Sequence, residues 1–168
     1  GGSGADNFMV ETGMGNDVVT DFILGEDSID FSLLSSAERD AVTFSTNGSG
    51  DRVVNLGDGS TMTLTGVPGN SAPTGAVTIS GTAREGETLT ANTDGVSDLD
   101  GIDTSTEAGQ WLRNGTPIAG ATGDTYTLTQ ADVGAQISVR YSYTDNFGTS
   151  ESVTSTPTGA VENVNDAP

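Results

Sequence analysis

Two nine-residue stretches open the chain, "GGSGADNFM" at residues 1–9 and "TGMGNDVVT" at residues 12–20. Each places glycines two residues apart, then an aspartate, then a large apolar residue: Gly2, Gly4, Asp6 and Phe8 in the first, Gly13, Gly15, Asp17 and Val19 in the second. Glycine admits backbone conformations that a side chain forbids, so each stretch reads as a sharp turn. The apolar residue after it reads as the start of a short strand that fills an interior. A chain built from such units folds as β-structure.

Composition narrows the chemistry. Neither Cys nor His occurs, which removes disulfides, thiol nucleophiles, thiolate or imidazole zinc sites and the usual proton shuttle of neutral pH. There are 24 Asp and Glu against 5 Lys and Arg, a net charge of -19. Such a chain repels nucleic acid and anionic membrane, and its natural counter-partner is a cation. Disorder is the alternative for an acidic chain rich in Gly, Ser and Thr, but the apolar residues fall in strand-like runs. No run reaches membrane-spanning length, and no leader peptide is visible at the start. Opening inside a motif and stopping at "NVNDAP", the chain is expected to be a piece of a longer protein.

The composition shifts at "GVPGNSAPTG", residues 66–75, and a linker is expected over 68–74. Upstream, two alternating runs flank Gly57-Asp58-Gly59, a hairpin signal that puts Val54, Leu56, Met62 and Leu64 on one face. Ser35 with Glu38 three residues on is a capping box for a single helical turn. Downstream, strands are expected near 76–80, 88–91, 109–114, 125–129, 136–144 and 150–156, at sandwich-like intervals. Asn114-Gly115 marks a tight turn, and Trp111 is expected in the core of a central strand.

The first stretch matches the nonapeptide G-G-x-G-x-D-x-U-x at every specified position; in the second, Thr12 replaces the first glycine. Together with "DVVTDFILGEDSIDFSLL" and the hairpin that follows, residues 1–67 resemble the RTX, or hemolysin-type, calcium-binding repeats and the segment that closes their parallel β-roll. The chemistry agrees, because calcium takes roughly six to eight oxygen ligands and these turns supply carbonyls and carboxylates. Gly2, Gly4, Asp6, Gly13, Gly15 and Asp17 are the expected ligand positions. The resemblance further implies that successive loops lie on opposite sides of the roll and that an ion is shared between loops two repeats apart. The partner of loop 1–6 is then "ILGED", with Asp27 as its acid, while loop 12–17 has only half a site.

"TISGTAREGETLTANT", the long stretch from Gly109 to Ser155 and "VENVNDAP" resemble the immunoglobulin-like and cadherin-like repeats of large bacterial surface proteins, over about residues 74–162. Asp132-Val133-Gly134 stands where those folds turn into a long strand; Gln136 and Ser138 depart from the antibody pattern of Tyr and Cys. Asp98, Asp100 and Asp103 are spaced to wrap a calcium loosely but lack the bidentate glutamate of an EF-hand. Asp166 would hold an ion at a junction with a following repeat.

The expected fold is therefore all-β: the short end of a parallel β-roll with a hairpin cap (1–67), a linker, an immunoglobulin-like β-sandwich (75–162) and the start of a further linker (163–168). A glycosidase-type carboxylate pair is the one catalytic device the composition leaves open, and no acid sits in a recognisable catalytic frame. The expected function is a non-catalytic, calcium-binding structural or adhesion module of a secreted or cell-surface bacterial protein, exported by type I secretion. The expected partners are Ca2+, neighbouring repeats of the same chain and a surface glycan or protein, with no nucleic acid, no membrane insertion and a monomeric state. The alternative is an accessory or carbohydrate-binding module of a secreted hydrolase.

Overall fold

A computed structural model describes residues 2–164. The expected ion at Asp166, and most of the expected linker 163–168, lie outside the described residues. Among the described residues the chain is all-β apart from one five-residue helix and a single 3-10 turn. It forms two compact units: Gly1–Ala72 with Leu99–Gly101 and Asp145–Thr149, and Pro73–Asp98 with Ile102–Thr144 and Ser150–Pro168. The segments 99–101 and 145–149, expected within the sandwich, belong instead to the first unit.

In the first unit the glycine turns lead into β1 (Asn7–Met9) and β2 (Asn16–Val19), and a third turn leads into β3 (Ser28–Asp30). These successive strands do not pair with each other. β1 pairs in parallel with β3. The helix α1 (Ser36–Asp40) starts at the expected capping box, with Ser35 accepting from the Glu38 amide and the Glu38 carboxylate from the Ser35 amide. There follow β4 (Thr43–Thr46), β5 (Asp51–Asn55) and β6 (Thr61–Pro68). β5 and β6 form the expected antiparallel hairpin, and β2 joins the far side of β6 in parallel, giving a sheet of order β2-β6-β5-β4. Period-two alternation buries Val54, Leu56, Met62 and Leu64 with Val10, Val19, Phe22, Leu34 and Val67 in one core. Arg52 occupies the same inward face of β5 and is fully buried.

The second unit contains β7 (Thr78–Ser80), β8 (Thr88–Asn92), β9 (Asp103–Arg113), β10 (Thr116–Pro117), β11 (Thr125–Thr127), β12 (Ile137–Thr144) and β13 (Ser150–Thr154). They make two sheets, β11-β8-β7 and β10-β9-β12-β13. Leu89 from one sheet and Trp111, Ile137, Val139, Tyr141 and Tyr143 from the other share a single core. Trp111 lies in an interior strand with no exposed surface, as expected, and its indole N–H donates to the Gly123 carbonyl at 2.8 Å. β9 and β10 join through Asn114-Gly115, both at positive φ (49° and 79°), which a two-residue hairpin needs to match strand twist. The expected strands are all present with shifted ends. β9 departs most, beginning at Asp103 rather than Gly109, because its first half is Thr-, Ser- and Glu-rich and carries no apolar pattern.

Candidate metal-binding loops

The parallel register of β1 and β3 sets Asn7 beside Ser28, Phe8 beside Ile29 and Met9 beside Asp30. The turns ahead of the two strands are thereby stacked in step, Gly4 over Gly25 and Asp6 over Asp27. Both glycines hold positive φ, 114° and 80°, where a side chain would be strained. Hydrogen bonds tie one turn to the other. The Asp6 amide donates to Asp27 Oδ1 at 2.8 Å, the Ile23 amide to Asp27 Oδ2 at 2.8 Å, and the Ser28 amide to the Asp6 carbonyl at 2.9 Å. Below them Phe8 packs against Phe22 with ring centroids 5.6 Å apart. The register thus sets Asp6 beside Asp27, the acid that the resemblance to RTX repeats implies as its partner.

Asp6 Oδ2 is buried and has no hydrogen-bond partner. An orphaned carboxylate oxygen is costly unless something satisfies it. Space is open where side chains would stand at Gly2 and Gly4, both exposed. The donors at hand are oxygens only, from carboxylates and loop backbone, with no imidazole or thiolate in the chain. This set suits a hard cation such as Ca2+ rather than zinc or copper. Among the described residues no three or more acidic side chains are gathered as a ready cage, so backbone and solvent oxygens must complete any shell.

The second loop is held differently. β2 pairs with β6, setting Asn16 beside Thr61 and Asp17 beside Met62, so no acid stands in register with the exposed Asp17. Its backbone is clasped by side chains from later in the chain. Thr12 Oγ1 donates to Glu38 Oε1 at 2.7 Å, the Gly13 amide to Asp58 Oδ2 at 2.8 Å, and the Gly15 amide to Ser60 Oγ at 3.2 Å. Asp17 does not join Asp6 and Asp27, in keeping with the separation of successive loops. Asp58, which the sequence marks only as a turn residue, also clasps this loop, and the Asp58-x-Ser60 spacing, in which the Ser60 amide donates to Asp58 Oδ1 at 2.8 Å, is its local signal.

Hydrogen bonds from Ser35, then from Thr12, hold the Glu38 carboxyl down from its ordinary value of 4.5 to about 2. A carboxyl lowered by folding stabilises the folded state above its unfolded value, and that contribution fades as pH falls toward the folded value. Glu38→Gln is therefore expected to flatten the acid side of the stability profile of the first unit between pH 4.5 and about 2. Urea midpoints of variant and wild type that fall in parallel over that window would contradict it.

The spaced acids of the second half go to separate tasks. Asp98 accepts from Tyr143 Oη at 2.7 Å. Asp100 pairs with Arg52 at 2.9 Å and accepts from the Ser71 amide. Asp103 accepts from the Ser105 amide and hydroxyl. No protein-family model matches the chain, and no curated protein matches it as a relative.

Proposed function

We propose that the chain is a non-catalytic, calcium-binding structural module in which the first unit is the closing end of an RTX-type β-roll and the second an immunoglobulin-like sandwich. The observation that carries this reading is the pair of stacked loops, in which a buried, unpartnered Asp6 Oδ2 lies one turn from Asp27. Asp6 and Asp27, with backbone oxygens of the Gly2–Gly4 turn, would hold the ion. When bound, Ca2+ neutralises carboxylates that would otherwise repel each other as the loops close. The chain's own part is to preset the turns through Gly4 and Gly25 and to hold the Asp27 carboxylate against two amides. Gly13, Gly15 and Asp17 belong to a loop already clasped by Glu38, Asp58 and Ser60, and would contribute a weaker half-site.

An extracellular setting follows from the same chemistry. Extracellular calcium modules have dissociation constants of about 0.1–1 mM, so the site would stay empty in a calcium-poor cytosol and fill after export. The structural reading is favoured over a glycan-binding one by the fate of the aromatics. Trp111, Tyr141 and Tyr143 are core residues, Tyr126 stacks on Trp111 at 5.8 Å, and Phe147 lies under the Arg52 guanidinium at 3.7 Å. None forms an open sugar platform.

At 10 mM calcium such a site stabilises the folded state by about 1.4–2.7 kcal/mol, or roughly 6–20 °C in the melting temperature of a small unit. Calorimetry in EDTA and in calcium is expected to show the first unit moving by this amount and the second hardly at all. In isothermal titration Asp6→Ala should remove the principal binding event, while Asp17→Ala leaves it nearly intact. Equal heats from wild type and Asp6→Ala would refute the assignment.

A further inference from the structure

The second unit contains a cleft of about 750 Å3 that no part of the calcium reading uses. β9 and β12 form one wall, through Glu107, Gly109 and Tyr141; β8, the turn after it and the turn before β11 form the other, through Asn92, Asp94 and Asp124. Its room comes from Gly109, which stands opposite Tyr141 in the sheet and presents no side chain; a Cβ there would lie 3.4 Å from the Thr122 carbonyl.

The cleft runs beside a strand edge that is open. β10 pairs only with Leu112 and Arg113 of β9, and the Trp111 amide is taken by the Ala121 carbonyl. Backbone groups alternate direction along a strand, so the amides and carbonyls of Gly109 and Glu107 face the same outward side as those of Trp111. Among the described residues no strand lies on that side of Glu107–Gly109, while nearer the start of β9 the Ser105 amide is taken by Asp103 Oδ1. An edge of this kind is a template for an added strand.

Charge selects what would add. The cleft is lined by three carboxylates, Asp94, Glu107 and Asp124, and by no Lys or Arg. Burial, then its hydrogen bond to Glu107, pushes the Tyr141 hydroxyl up to about 12. Tyr141 itself is 6% exposed and offers no stacking face to a sugar ring. A second copy of this chain, at net charge -19, is repelled.

We propose that the open edge of β9 and the adjoining cleft form a docking site for an extended basic peptide segment. The segment would pair with Glu107–Gly109 as an added strand, and alternate side chains would point toward the cleft, placing a Lys or Arg among Asp94, Glu107 and Asp124. The site is independent of the calcium loops.

The test is an NMR titration of the isotope-labelled full chain, in constant calcium, with a short alternating lysine-threonine peptide, the matching glutamate-threonine peptide, and a neutral oligosaccharide. The lysine peptide is expected to give saturable shifts centred on the amides of Glu107, Gly109 and Gly123, and the other two probes none. Glu107→Gln should weaken binding about tenfold, the loss of one charge-assisted hydrogen bond. Gly109→Val should abolish it while the Trp111 indole N–H resonance, a reporter of the intact core, stays in place. Should Gly109→Val disturb that resonance, Glu107→Gln decides alone. Shifts spread over the acidic surface without this edge, equal affinity in Glu107→Gln, or a saturable response to the oligosaccharide instead of the peptide would each overturn the proposal.

Discussion

Arg52→Ala is expected to destabilise the first unit by about 3–5 kcal/mol, the usual cost of removing one partner of a buried ion pair. The side chains of Arg52 and Asp100 are both without exposed surface, and their ion pair measures 2.9 Å. The guanidinium also donates to the Pro68 and Gly69 carbonyls at 3.1 and 3.0 Å and lies 3.7 Å over the Phe147 ring. Phe147 in turn packs edge-on against Phe44, centroids 4.9 Å apart. Truncation would therefore strip a buried carboxylate of its cation, remove the guanidinium donor from two carbonyls and open a void beside two rings. Against the roughly 5–15 kcal/mol that holds a whole domain, such a loss is severe. Calorimetry of the variant should show the first unit melting far below wild type. The double change Arg52→Met with Asp100→Leu should recover much of the loss, because it removes the charge as well as its partner. A single variant within about 1 kcal/mol of wild type would show that the pair carries little weight.

The position of Arg52 explains part of what a sequence reading reaches. The alternation that located Val54, Leu56, Met62 and Leu64 extends backward to Arg52, which has the same parity. A search for apolar residues skips it, although the pattern itself points inward there. Asp27 was legible because its spacing from Asp6 follows from the repeat, and the register then stacks Phe8 on Ile29. Asp58 and the pairing of β2 with β6 were not, because residues 45 positions apart carry no local sign that they will meet. The first half of β9 was invisible for another reason: Thr104 to Ala108 are exposed, so nothing buried imposes a pattern on them. Apart from that strand, what failed to show was a polar group whose partner is chosen by tertiary structure. What did show was alternation, turn chemistry and the repeat.

The second unit has its own buried aspartate, and Asp132→Ala is expected to cost it about 3–5 kcal/mol. Asp132 has no exposed surface, whereas the side chain of Arg113, 2.6 Å away, is 33% exposed. Four further donors converge on the carboxylate: the Thr129 amide and hydroxyl, each at 2.8 Å, Tyr126 Oη at 2.9 Å and Arg113 Nε at 2.7 Å. Burial works to raise its pKa, but the Thr129 amide and hydroxyl, then Arg113 and Tyr126, together hold it below the ordinary 3.8. The folded state therefore gains stability from this group above pH 3.8 and loses it as pH falls through the lower folded value. Asp132→Asn separates charge from shape, since an amide fills the same space but accepts on one oxygen only and turns an N–H₂ toward other donors. It should destabilise nearly as much as alanine and lose the acid-dependent component. Urea denaturation followed by Trp111 fluorescence reads this unit directly, because Trp111 is the only tryptophan and sits in its core. An Asn variant as stable as wild type, with the same fall in midpoint below pH 3.8, would mean that the converging donors do not depend on the charge.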